Sequence, residues 1–174
     1  MRTMNQKVQN YIRSMSEVFE GDPWYGTSVM RKLENVPHVI GFKSCIPDSH
    51  TTAEIVMHLI QWKKFALEKL QGNELHDIEI DSANDWPKIR VDSKEEWEKL
   101  KRDLVSAQQK IYEFLEQKND EYLEEIVPGR DYDIAYLLRG IIQHDIYHLG
   151  QIGLIGSQLK LEENNHTGVF NLKE

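Results

Sequence analysis

Residues 132–159 read YDIAYLLRGIIQHDIYHLGQIGLIGSQL. Ile134, Leu137, Ile141, His144, His148, Ile152, Ile155 and Leu159 follow one another at steps of three and four, which stacks their side chains on one face of an α-helix. A helix this long with one apolar face needs other helices to cover that face, so the reading starts from a bundle.

Three more stretches carry the same period. The first runs from about Thr3 to Glu20, with Val8, Tyr11, Ile12, Met15, Val18 and Phe19 on one side, and stops at Gly21-Asp22-Pro23. The second begins near Thr51, where Thr51 and Glu54 have capping-box spacing, carries Ile55, His58, Leu59, Trp62, Phe65 and Ala66, and ends at Gly72. The third opens at Ser93 with Glu96 and continues through Trp97, Leu100, Leu104, Ala107, Ile111, Phe114 and Leu115. It decays around Lys118 to Glu121, ahead of the break at Pro128-Gly129. A short helix is expected over Ser28 to Asn35. Residues 72–92 look irregular; at about 3.3 Å per residue they can run back along a bundle, so helices two and three need not form an antiparallel hairpin. Val39–Phe42 and Ile78–Ile80 can be short extended pieces, but no sheet is required. The expected architecture is all-α: a four-helix bundle with a long crossover connection between helices 2 and 3. It forms one domain over residues 1–174, with a core from about 3 to 160 and a polar, less ordered tail over 161–174.

Composition narrows the functional classes. The 174 residues are 40% hydrophobic and 29% charged with a formal net charge of −8, as in a soluble globular domain. Lys and Arg form no basic stripe, which argues against nucleic acid, and the acidic balance argues against anionic lipid. No apolar run approaches the roughly 20 residues that span a bilayer, and residues 1–19 lack the continuous apolar core of a secretion leader. Cys45 is the one cysteine, so no disulfide forms within the chain and a Cys-rich zinc knot is excluded. A chain without disulfides suits the reducing cytoplasm.

His144 and His148 are four apart, so both imidazoles face one side of the helix a turn apart, where both can reach one ion. With seven histidines in the chain, such a pair arises by chance in about one sequence in four, so spacing alone does not decide. Context adds to it, because both histidines interrupt an apolar stripe and so point at the core. Buried neutral imidazoles need partners for their ring nitrogens. His58 interrupts the stripe of the second helix in the same way. Three inward histidines can close a three-nitrogen site that leaves a position open for water or substrate. The alternative is three core histidines bonded to backbone or to Tyr and Asp neighbours, and the pattern alone leaves both readings standing.

HDIYHLGQIGLI (144–155), together with HTTAEIVMHLIQW (50–62) upstream, resembles the DinB/YfiT-like superfamily. The likeness lies in His144-x-x-x-His148 followed by Leu149-Gly150-Gln151-Ile152, in His58 early in a preceding helix, in Asp22-Pro23-Trp24-Tyr25-Gly26 after the first helix, and in Pro128-Gly129 before the last. It covers about residues 5 to 160. The resemblance implies a four-helix bundle, often a homodimer, whose His58, His144 and His148 hold a divalent metal ion. It also implies action on a small-molecule substrate, by transfer of a low-molecular-weight thiol cosubstrate, by thiol-dependent isomerisation or by hydrolysis. Imidazole ligands suit zinc or nickel first and iron or manganese after them, and do not choose among them.

Several neighbours enter as candidates. Glu54, one turn before His58, can act as a catalytic general base on bound water, although its capping role accounts for it without chemistry. Asp145 lies about 100° around the helix from His144 and reads as a solvated or capping charge, with orientation of an imidazole as the alternative. Gln61, Gln151 and Tyr147 are candidate polar groups of a pocket. Trp24, Tyr25 and Trp62 can form an aromatic wall, Trp62 being the best placed. His38, His50, His76 and His166 read as exposed and not as ligands, and Cys45 as an ordinary cysteine. Gly150, Gly153 and Gly156 each cost about 1 kcal/mol against Ala in a helix, which close backbone approach to another helix or to a second subunit would offset. Two functional classes follow: a metal-dependent transferase or hydrolase with an open coordination position, or a non-catalytic metal-stabilised bundle serving interaction or stress response.

Overall fold

The computed structural model describes residues 5–44 and 49–168, without the side chains of residues 161–168. Its elements are α1 (Gln6–Phe19), α2 (Val29–Glu34), α3 (His38–Gly41), α4 (Thr52–Leu70), α5 (Lys94–Leu115), a 3-10 turn (Asp120–Glu124) and α6 (Ile134–Gly168). The four long helices are those the periodicity predicts. Both capping boxes form: Thr51 and Ser93 accept from the backbone of Glu54 and Glu96, whose carboxylates return the bond to the cap residues. No helix among the described residues is long and apolar enough to cross a membrane.

Two apolar clusters set the directions of the helices. One joins Ile55, Val56 and Leu59 of α4 to Trp97, Leu100 and Leu104 of α5, and to Leu149, Ile152 and Leu159 of α6. The other joins the later residues Phe65, Ala66 and Leu70 of α4 to Ile111 and Leu115 of α5, but to the earlier residues Ile134, Leu138 and Ile141 of α6 and Val8 and Met15 of α1. Thus α4 and α5 run the same way, and α1 and α6 run against them. A parallel pair adjacent in sequence requires the connection between them to travel the length of the bundle, and residues 71–93 do so.

Some local expectations change. His38 to Gly41 form a helical turn rather than an extended piece, because Ile40 and Gly41 donate back to the carbonyl of Pro37. Ile78–Ile80 form no strand. The last helix does not stop at Leu159 but continues through Gly168, since the polar residues after Leu159 include no proline to break it. Thr3, the expected start of the first helix, and Cys45 lie outside the described residues. A Cβ at Gly150 or Gly156 would meet nothing within 4 Å, and at Gly153 only Lys32. Close approach to a neighbouring helix among the described residues therefore does not explain Gly150 and Gly156.

Candidate metal centre

His58 projects from the second turn of α4, and His144 and His148 from consecutive turns of α6, so two antiparallel helices carry the cluster. The ligating atoms of the three rings all lie within 4.8 Å of one another. His144 Nε2 is 3.0 Å from His58 Nε2 and 3.0 Å from His148 Nε2.

The tautomers follow from the other ring nitrogens. His58 Nδ1 is 2.9 Å from both the backbone carbonyl and the carboxylate Oδ1 of Asp85, so it carries the proton and donates. His148 Nδ1 is 2.6 Å from Gln151 Oε1 and donates likewise. Both Nε2 atoms then present lone pairs to His144 Nε2, which has at most one proton to offer them. Two acceptors facing one donor leave at least one unmatched lone pair, and a cation at the convergence matches all three. This donor set fits a divalent ion of the kind that binds imidazole.

The electrostatics agree. Burial pushes the His144 imidazole down to about 2, helped by His148, His58 and Lys63. Burial also takes His148 down to about 4, against the bond to Gln151 that favours its charged form. His58 is lowered by burial despite Asp85. All three rings are therefore neutral near pH 7, the state in which imidazole binds metal.

The crossover segment supplies the outer support. Asp81 takes a positive φ of 62°, which Asp tolerates better than most residues. Asp85 and Trp86 both donate their N–H to the Ser82 carbonyl, and this tight turn aims their side chains inward. The buried Asp85 carboxylate accepts from Trp62 Nε1 at 2.8 Å and from the Asp81 N–H at 2.9 Å as well as from His58. Trp86 stacks on His58 with centroids 3.8 Å apart. Asp85→Ala is expected to weaken zinc binding by roughly 10–100-fold, the usual cost of removing a carboxylate behind a ligating histidine. Competition against a chelator of known affinity checks this, and an unchanged affinity would remove Asp85 from the site.

The other sequence candidates separate. Glu54 keeps its carboxylate on the cap, with Oε2 at 2.7 Å from the Thr51 N–H and 3.0 Å from its hydroxyl. Asp145 is not solvated: it is 2% exposed and accepts two bonds from Lys63 Nζ at 2.9 and 2.7 Å. The reason is angular. Leu138, Asp145 and Ile152 are seven apart and share the centre of the buried face, whereas His144 stands at its margin and is only half-buried. Trp24 is 98% exposed and Tyr25 44%, so neither walls the centre, while Trp62 does border it with its ring 5.4 Å from that of His144. Gln151 holds His148; Tyr147 is exposed but packs edge-on to His148, and Gln61 is half-buried. His50 is exposed but stacked on Trp86, His38 and His76 are half-buried rather than exposed, and His166 lies within α6. His38, His50 and His76 do not join the three-histidine cluster.

Two cavities are relevant. A cleft of about 180 Å3 has His144 in its wall. A groove of about 500 Å3 between α4 and α5 is larger but is edged by Lys64, Glu68, Asp103 and Lys110, and no histidine reaches it.

The family model of the DinB superfamily matches residues 28–152, from just before α2 into α6, a span that contains every residue of the cluster and its supports. No curated protein matches the chain.

Proposed function

The chain belongs to the DinB superfamily, and on that footing we propose that it is a metal-dependent enzyme acting on a small molecule by thiol S-transfer. Its divalent ion is held by His58, His144 and His148. The observation that carries this is the convergence of three neutral Nε2 atoms, two of them fixed as acceptors by Asp85 and Gln151. A bound divalent ion lowers the pKa of a thiol or water at a position the protein leaves free, and so supplies a nucleophile at neutral pH.

The chain's own residues supply the rest. Asp85 and Gln151 hold the Nδ1 protons and keep the rings turned toward one point. Trp62 and Trp86 cover the cluster and keep bulk water from it, which strengthens charge interactions inside. No carboxylate lines the cleft at His144. Activation of the nucleophile therefore falls to the bound ion, and a thiol needs a smaller pKa shift than water to become a nucleophile there. We place the protein in the reducing cytoplasm, where such thiols stay reduced.

The test loads the protein with zinc or nickel and offers cysteine or another low-molecular-weight thiol with 1-chloro-2,4-dinitrobenzene. A carbon–sulfur bond forms, chloride leaves, and the thiol proton goes to solvent. The expected result is conjugation above background that is lost on chelation. Equal rates with and without metal, for every thiol tried, would sink the transferase reading. Metal-dependent cleavage of an activated ester instead would favour the hydrolase alternative.

A further inference from the structure

Among the described residues, aromatic rings cover one flank of the histidine cluster. Trp86 lies flat on His58 and edge-on to His148, with centroids 3.8 and 6.0 Å away, and His50 stacks on Trp86 at 3.6 Å. That flank is closed. His58 and His148 are buried, and His144 alone keeps part of its ring exposed. Its imidazole forms a wall of the cleft of about 180 Å3 between α4 and α6, with Trp62, Phe65, Tyr132, Tyr136 and Gly140 around it. The cleft reaches the edge of the cluster at His144.

The lining states what can enter. It contains no carboxylate, ammonium or guanidinium. The one donor of Trp62 is already given to Asp85, so Trp62 offers the cleft a ring surface and no hydrogen bond. Phe65 stands edge-on to Trp62 at 5.3 Å, and Tyr132 lies 5.0 Å from Tyr136. Such rings favour offset or edge contact with another ring. An apolar cavity of about 150 Å3 is known to admit benzene, so the volume suits one six-membered ring. At Gly140 a Cβ would meet nothing within 4 Å. Glycine inside a helix costs about 1 kcal/mol against Ala, and here no close approach within the chain offsets it. Its effect is to keep the cleft open.

We infer that this cleft is the substrate site, and that the substrate carries an uncharged group the size of a single aromatic ring, seated against Trp62 and Tyr136 with its reactive end toward His144. The chemistry at that end rests on the metal reading above, whereas seating of the ring does not.

The experiment titrates metal-free protein with p-cresol while following the Trp62 indole N–H and the His144 ring signals by NMR, beside Gly140→Leu and Tyr136→Ala. Wild type should show a saturable shift of both signals, with benzoate binding more weakly. Gly140→Leu should weaken p-cresol about tenfold or more, within the range by which one methylene in an apolar pocket discriminates, while loading zinc as wild type does. Tyr136 is largely exposed, so Tyr136→Ala leaves the core intact and gives the same direction of change if the leucine variant proves unstable. Binding of p-cresol equally by wild type and both variants, or shifts clustered away from Trp62, would overturn the inference. Zinc loading reports separately: protein that binds p-cresol but takes no zinc contradicts the metal reading alone, and zinc-loaded protein that ignores p-cresol contradicts the aromatic site alone.

Discussion

His144→Ala is expected to lower zinc affinity by roughly 100- to 1,000-fold, one ligand's share of the roughly 10–16 kcal/mol that four-ligand zinc sites reach. His144 Nε2 is the atom within 3.0 Å of both other ring nitrogens. Without it His58 and His148, with ring centroids 4.7 Å apart, offer an ion two nitrogens instead of three. The same substitution separates a metal site from a polar core. In metal-free protein His144 offers at most one proton to two lone pairs, and its removal from a half-buried position admits water, which can donate to both. The metal-free variant should melt at or above metal-free wild type. Saturating zinc should then raise the melting temperature of wild type by mass action and leave the variant unmoved. A histidine that merely satisfied hydrogen bonds would behave in the opposite way, with destabilisation in the absence of metal and no response to zinc.

Lys63→Met should be the most destabilising single change near the site. Lys63 and Asp145 are 1% and 2% exposed and bonded twice. The Lys63 ammonium also lies 5.1 Å from the Phe19 ring centroid. Removing one member of a buried pair strands the other charge, at a cost of about 3–5 kcal/mol. For a domain of this size that is a fall of about 6–20 °C in melting temperature, at roughly 2–4 °C per kcal/mol. The double replacement Lys63→Met with Asp145→Leu removes both charges and should recover most of the loss, because well-packed apolar pairs often equal buried ion pairs. Thermal melts of the two single variants and the double variant check this. Additive losses in the double variant would mean that the pair is not the source of the effect.

The contrast between these two predictions marks what the sequence could reveal. Helix periodicity was sufficient for the bundle, because burial of one face leaves a repeat every three or four residues, and both capping boxes formed where Thr51-Glu54 and Ser93-Glu96 predicted. The parallel pairing of α4 and α5 was open to the sequence as a length: residues 72–92 are enough to run back along the bundle, so no hairpin was required. His144 and His148 stood out as polar interruptions of an apolar stripe. Asp145, about 100° around the helix from His144, reads as solvated only if the buried face is centred on the histidines. The heptad Leu138, Asp145, Ile152 would have corrected this, and would have asked for a cation, which Lys63 supplies from α4. Gln151 was within reach of the same logic, being one turn beyond His148. Asp85 and Trp86 were not legible. They lie in an irregular segment where no period ties position to direction, and their inward aim depends on the turn closed by Ser82. The residues that face the ion come from helices and could be found by counting. Those that hold two of the rings and cover the cluster come in part from the crossover and needed the fold.

The most direct test of the account is the metal content of the purified chain carrying no histidine tag, measured by elemental mass spectrometry beside His144→Ala. The account predicts close to stoichiometric divalent metal in wild type, as isolated or after loading with zinc, nickel, manganese or iron, and little in the variant. Wild-type protein that carries no metal and accepts none of the four, or a variant that holds metal as wild type does, would contradict it.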